Sequence, residues 1–148
     1  MTRNTKKTII FSILALVIIG AGVAYYLYNK GPVDVKNSTG IKVIAVELYQ
    51  HYSNDSFTAQ KKYTDKILEV SGIAIKISQN QQNQAIILLK TNESAAYVNC
   101  TMEGPANTIR ENDAVIIKGL CSGIGQGDTD LGIKGDVYLT RCYFIKYN

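Results

Sequence analysis

The sequence predicts a mainly β domain, a small five-stranded barrel preceded by an N-terminal transmembrane helix, with one or two helices packed on the barrel. Three observations lead there. Residues 8–28 form an apolar run without a charge. Five later segments carry strand patterning, with a proline-started stretch between the third and fourth. One strand, Lys66–Ser78 (KILEVSGIAIKIS), nearly alternates apolar and polar residues around a central Gly72. A glycine inside a long strand marks a bulge or bend, which lets one strand belong to two sheets. The first strand of a small closed barrel has to do this.

The anchor comes first in the chain. Thr8–Tyr28 reads TIIFSILALVIIGAGVAYYLY, 21 residues with no charge. As a helix it spans roughly 31 Å, matching a bilayer core of about 30 Å. Tyr25, Tyr26 and Tyr28 close it, where amphipathic rings favour the headgroup region. Arg3, Lys6 and Lys7 precede it and predict a cytoplasmic N-terminus with the remainder exported. The competing reading is a cleaved signal peptide, because Gly20–Ala24 offers small residues after an apolar core. The tyrosines extend the run beyond a signal core and favour an uncleaved single-pass anchor. The expected division is 1–30 for the cytoplasmic stub and anchor, 31–41 for a spacer, and 42–148 for the barrel domain. Gly31, Pro32, Ser38, Thr39 and Gly40 give the spacer its character.

Charge follows the same division. The formal net charge is +4, yet Arg3, Lys6, Lys7 and Lys30 all flank the anchor. Without them 12 basic residues face 12 acidic ones, so the exported part is neutral. A nucleic-acid binder usually carries a basic stripe, because phosphate contacts supply most of its affinity.

In the exported part, Lys42–Tyr52 places Val43, Val46, Leu48, Tyr49 and Tyr52 near helical spacing and predicts an amphipathic helix. Ser56 is placed to cap a second short helix ending at Tyr63. Their aromatics, with Phe57, are expected to pack on the barrel. After the Lys66–Ser78 strand come a polar turn at Gln79–Asn83 and strands at Gln84–Thr91 and Ala95–Met102. Pro105–Asn112 predicts a short helix with proline in its first turn. Ala114–Cys121 and Val137–Tyr147 are the fourth and fifth strands. The order β-β-β-α-β-β is that of the OB-fold, a five-stranded Greek-key barrel. A β-sandwich, the alternative, normally wants about seven strands and no inserted helix.

These residues resemble a known family. A helix, then Ala59–Tyr63 (AQKKY), then a strand ending in Val70-Ser71-Gly72 is similar to the tRNA-anti-like OB-fold proteins, small bacterial exported or lipoprotein-like domains. Val98-Asn99-Cys100, Gly119-Leu120-Cys121-Ser122-Gly123 and Val137-x-Leu139-x-x-Cys142 fit the same pattern. The resemblance covers roughly Ile41 to Lys146. It implies the fold and carries no catalytic residues; the family's name points to nucleic-acid-binding anticodon domains. This chain departs in a longer link, Ser122–Asp136, between the last two strands.

Cys100, Cys121 and Cys142 lack the paired spacing and nearby histidines of a metal site, so no metal or other cofactor is expected. Alternation places them as three small core residues. In an oxidising compartment the sharper reading is one disulfide and one free thiol. The fifth strand of an OB barrel neighbours the third and fourth, so Cys121–Cys142 is the first pairing and Cys100–Cys142 the alternative. The lone histidine, His51, has no evident catalytic partner. Ser122–Asp136 (SGIGQGDTDLGIKGD) has five glycines and occupies the position of a loop that often lines OB binding faces. Its Asp128, Asp130 and Asp136 lack the full calcium-loop pattern.

The candidate ligand face is Tyr97, Lys118, Lys134, Tyr138 and Arg141, because bases stack on aromatics and phosphates need positive charge. The expected function is a non-enzymatic, membrane-anchored binding module facing the periplasm or cell exterior of a bacterium. Its partner would be an envelope protein, peptide or glycan. The alternative is single-stranded nucleic-acid binding. A hydrolase has no Ser-His-Asp, paired-carboxylate or metal arrangement to stand on.

Overall fold

The structure is a computed structural model that describes residues 3–29, 31, 33–128, 130 and 134–147. The chain divides into two compact units, Met1–Val33 and Asp34–Asn148. The first holds α1 (Arg3–Asn29), a 27-residue helix. Its stretch Ser12–Asn29 has a mean hydropathy of 1.6 and buries none of its side chains. It is long and apolar enough to cross a membrane by length and composition, and its described leucines, isoleucines and tyrosines are exposed.

The second unit contains β1 (Ile41–Ile44), α2 (Ala45–Asn54), α3 (Ser56–Tyr63), β2 (Ile67–Gln79), β3 (Ala85–Lys90), β4 (Tyr97–Met102), β5 (Ala114–Ile124) and β6 (Val137–Tyr147). The strands run β1-β2-β3-β4-β6-β5, and β2 also pairs with β5. Strands β2 to β6 therefore close a five-stranded barrel, with β1 as a sixth strand added outside it. The last barrel strand lies parallel to β4 and antiparallel to β5, the neighbours expected of the fifth strand of an OB barrel.

Strand β2 works as its sequence suggested. Ile67–Ile73 pairs with β5, and Ala74–Gln79 with β3. The β2–β3 register shifts between Ala74 and Lys76. Gly72 sits at the handover, and space is what it supplies. A Cβ there would come within 3.0 Å of Ala45 Cβ and 3.3 Å of Leu89 Cβ. Glycine lets the start of α2 and the end of β3 approach β2 this closely without either giving way.

Inward residues alternate along most of the barrel strands, as period two requires, with a break on β6 where the left-handed Arg141 separates Leu139 from Cys142. Leu68, Val70, Ile87, Leu89, Val98, Cys100, Val115, Ile117, Leu139 and Cys142 are all fully buried. Helix α2 buries Ala45, Leu48, Tyr49 and Tyr52, the i, i+3, i+4, i+7 stripe of an amphipathic helix. Helix α3 adds Ala59 and Tyr63. The Tyr52 hydroxyl reaches Thr64 Oγ1 at 2.9 Å and Cys121 Sγ at 3.4 Å, so these helices sit at the end of the barrel where β5 finishes.

Four local expectations change. The helix expected from Lys42 begins at Ala45, and Ile41–Ile44 is instead a strand parallel to β2. Three of those four residues are isoleucine or valine, and β-branched side chains fit a pleated edge better than a first helical turn. The cap of α3 is Asp55, whose carboxylate accepts from Thr58 N at 3.0 Å; Ser56 is the first helical residue. Pro105–Asn112 is a pair of turns and not a helix. Asp113 Oδ2 accepts from Arg110 N, and Asn112 takes a left-handed φ of 73°. These contacts turn the chain where a helix would continue. Ala106 and Ile109 are still buried, beside Ile77 and Ala85. Finally, part of the expected spacer is packed. Val35 is buried, and Ser38 O accepts from Lys118 Nζ at 3.0 Å.

Candidate functional site

The outer face of β4 and β6 carries Tyr97 and Tyr138, the two aromatics that the sequence singles out. On β4 the outward side chains are Tyr97, Asn99 and Thr101, half-buried between inward Val98, Cys100 and Met102. Asn99 lies opposite Tyr138 of β6. Tyr138 is exposed, and its ring lies over Gly125, where a Cβ would come within 2.7 Å of Cε2. Asp136 fixes the strand entry: its Oδ1 accepts from Tyr97 N at 2.9 Å, and its carbonyl accepts from Gly125 N at 2.8 Å. The Asp136 carboxylate and backbone thus register β4 against the end of the long loop.

The basic candidates divide. Lys134 pairs with Glu93 at 2.8 Å, and that hydrogen bond holds its ammonium pKa above the usual lysine value. Arg141 pairs with Glu103 at 3.3 Å from a left-handed position on β6, φ 54°. Lys118 is not on this face at all. It joins Glu69 of β2 at 3.3 Å and the Ser38 carbonyl, with only 12% of its side chain exposed. Tyr97 and Tyr138 lie on this face, whereas Lys134 sits before β6 beside Glu93, Arg141 sits at the Glu103 end of β4, and Lys118 is a structural residue of the β2–β5 side. Each of the three cations has a glutamate.

The loop expected at Ser122–Asp136 is shorter than its sequence suggests. Ser122–Ile124 continues β5, and Gly123 takes a φ of 97°. Residues 129 and 131–133 of that loop, Gly132 among them, lie outside the described residues.

All three cysteines are free and fully buried. Burial pushes the Cys121 thiol up, against a contact with Tyr52 that lowers it. The Cys142 thiol is raised well above its ordinary value by its hydrogen bond to Cys100, reinforced by burial. A high pKa means little thiolate, and the thiolate is the nucleophile. His51 is taken up in packing: Nδ1 is 2.8 Å from the Tyr63 hydroxyl and the two rings stack. Among the described residues no three His, Cys, Asp or Glu side chains are placed to hold a metal ion.

The glutamates that pair with these cations, Glu93 and Glu103, and the hold of Asp136 on Tyr97 N are what the sequence reading missed. Each lies far along the chain from its partner, so spacing gives no signal. A five-stranded closed β-barrel with this strand order is an OB-fold in architecture. The chain belongs to the tRNA_anti-like family, whose pattern matches residues 1–131. No curated protein matches the sequence. Among solved structures, a chain assigned as an aspartyl-tRNA synthetase from Leishmania major Friedlin is similar, with 8% identity and a TM-score of 0.43. The similarity covers 80% of this chain and 23% of that one, so this chain spans less than a quarter of that protein.

Proposed function

We propose that the protein is a membrane-tethered, extracytoplasmic binding module of a bacterial envelope that holds a protein, peptide or glycan partner without catalysing a reaction. The observation that carries this reading is that all three cations singled out by the sequence are already paired with glutamates. Lys134 and Arg141 are closed by Glu93 and Glu103, and Lys118 by Glu69. Phosphate chains are held chiefly by uncompensated Lys and Arg charge, which these paired residues do not offer. The exposed apolar surface of α1 supports the tether. The high thiol pKa values and the engaged histidine support a role without chemistry.

One observation favours a second reading, single-stranded nucleic-acid binding. Tyr138, 41% exposed beside Asn99 and Tyr97, is a ring on which a base could stack. A single experiment separates the two. A fluorescent single strand of about twelve nucleotides is titrated with the full chain in nanodiscs at low salt. Flat anisotropy is expected. A rise that collapses steeply with added salt is the signature of counterion release and would replace the first reading with the second. For the tether, a reporter active only outside the cytoplasm, fused after β6, is expected to be active; an inactive reporter would reverse the orientation.

A further inference from the structure

We propose that the hollow between Tyr143 of β6 and the Gly104–Thr108 turn is a binding site for a neutral sugar, one or two pyranose rings of a glycan. The proposal rests on the binding-module reading and names the partner class. The hollow has a volume of about 670 Å³, within the usual range of ligand sites. It lies toward the opposite end of β6 from Tyr138.

Its walls follow from how β4 leaves the sheet. The β4–β6 ladder stops at Met102 and Cys142, and β6 runs on to Tyr147 with β5 as its ladder partner. The Tyr143 ring lies against Gly104, where a Cβ would come within 2.8 Å of Cδ1. The turn that follows is anchored twice. Ala106 and Ile109 are buried, and the Tyr147 hydroxyl donates to the Thr108 carbonyl at 2.6 Å. Phe144 meets Tyr147 edge-on, with ring centroids 5.0 Å apart. The walls are therefore set before a ligand arrives, which lowers the ordering cost of binding.

The lining selects the chemistry of the occupant. Tyr143 and Phe144 supply aromatic carbon, and no carboxylate among the described residues lines the hollow. The side chains of Asn107 and Thr108 are on its rim and make no hydrogen bond with the described residues. An amide and a hydroxyl, both able to donate and to accept, are thus left unspent. Asn37 gives its backbone N–H and its Nδ2 to the Asp34 carboxylate, at 3.2 and 2.8 Å, which leaves its Oδ1 to accept. Charge is balanced: Lys36 on the rim interacts with Asp34, and Arg141 is closed by Glu103. Neutral donors and acceptors beside aromatic carbon fit a ring with hydroxyls at its edge and C–H groups on its face, which lie against the negative face of an aromatic. A pyranose with equatorial hydroxyls is such a ring. A phosphate chain would want uncompensated cations. An extended peptide wants a groove open at both ends, whereas three separate segments, 36–37, 104–108 and 143–145, bound this hollow.

The test uses the full chain in nanodiscs of uncharged lipid, empty nanodiscs as the blank, and saturation-transfer NMR. The probes are two β-linked disaccharides with equatorial ring substituents, cellobiose and N,N′-diacetylchitobiose. Saturable binding with a Kd of about 1 mM is expected for the tighter of them. Sorbitol carries the hydroxyls without the ring face and is expected to bind at least about tenfold more weakly. Asn107→Ala, at an exposed position, is expected to weaken the tighter disaccharide about fivefold, and Tyr143→Ala at least about tenfold. Asn107→Ala leaves the packing in place, so the test stands even where Tyr143→Ala loses its fold. No saturable binding of either disaccharide, equal binding of sorbitol, or insensitivity to both substitutions would overturn the proposal. Displacement of the disaccharide by tetra-alanine would give the hollow to peptides and overturn it as well. Those results leave the binding-module reading standing, whereas salt-sensitive oligonucleotide binding would remove the reading beneath it.

Discussion

Gly119→Ala is the sharpest perturbation of the barrel. Gly119 faces the core on β5 opposite Leu68. A Cβ there would meet Cys142 Sγ at 2.5 Å and the Cβ and Cδ2 of Leu139 at 3.2 Å. Both neighbours are fully buried side chains on β6, so neither can swing into solvent. Overfilling a packed core costs about 1–3 kcal/mol, and a contact this short argues for about 2. For a domain of this size that lowers the midpoint of thermal unfolding by roughly 8 °C. The chain has no tryptophan and 10 tyrosines, so tyrosine fluorescence during urea unfolding of the detergent-solubilised protein is the natural readout. Cys142→Ala alone should cost about 1 kcal/mol through the space it leaves. In that background the Gly119→Ala methyl finds the room that Sγ vacated, and its cost should fall below about 1 kcal/mol. The double-mutant cycle then shows favourable coupling of about 1 kcal/mol or more. Additivity within about 0.5 kcal/mol would refute the packing argument, because it would mean that the methyl and the sulfur do not compete for one volume.

Other expectations follow from the same contacts. Lys118→Ala strands Glu69 and frees the Ser38 carbonyl, so it should cost about 1–2 kcal/mol, whereas Lys134→Ala on the exposed pair should stay within about 0.5 kcal/mol; equal costs would return Lys118 to the surface. Burial, helped by the Cys121 contact, raises the Tyr52 phenol, so its contribution to stability is complete below the unfolded-state value near pH 10 and falls as pH climbs from there toward the higher folded value. A midpoint flat from pH 9 upward would contradict this, and Tyr52→Phe should lessen the decline. The three thiols should resist alkylation in the folded protein and react in full after non-reducing denaturation; a mass showing only one reactive thiol would restore the disulfide.

The barrel was legible because its strands state their period openly. Ile67–Ile77 alternates almost without interruption, and Val137–Tyr147 appears with the same bounds in sequence and structure. Gly72 was legible as a special position, although its reason is the approach of Ala45 and Leu89, contacts that no local pattern contains. Strand β1 was hidden. Four residues are too few to establish a period, and Val43 fits the helical stripe of α2 as well as a strand face. Pro105–Asn112 misled because proline at a helix start is a real signal, here overruled by the Asp113 side chain and the left-handed Asn112. On the candidate face the sequence showed which residues could bind but not which were already engaged. Lys118, Lys134 and Arg141 look alike as letters, and only the fold assigns each a glutamate.

The pairing of β6 with both β4 and β5 also sets a timetable. Strand β4 ends at Met102, and its parallel partner begins at Val137, roughly 35 residues later. At about 5–20 residues per second, translation leaves that side of β4 without its neighbour for seconds, while a chain of this size collapses in microseconds. The nascent domain must therefore pass through a stage with two unfilled ladders. Its exposure to wrong partners is set by synthesis and not by the stability of the finished barrel. Slowing translation between Met102 and Val137 should lower the yield of folded, detergent-extractable protein while leaving its unfolding midpoint unchanged.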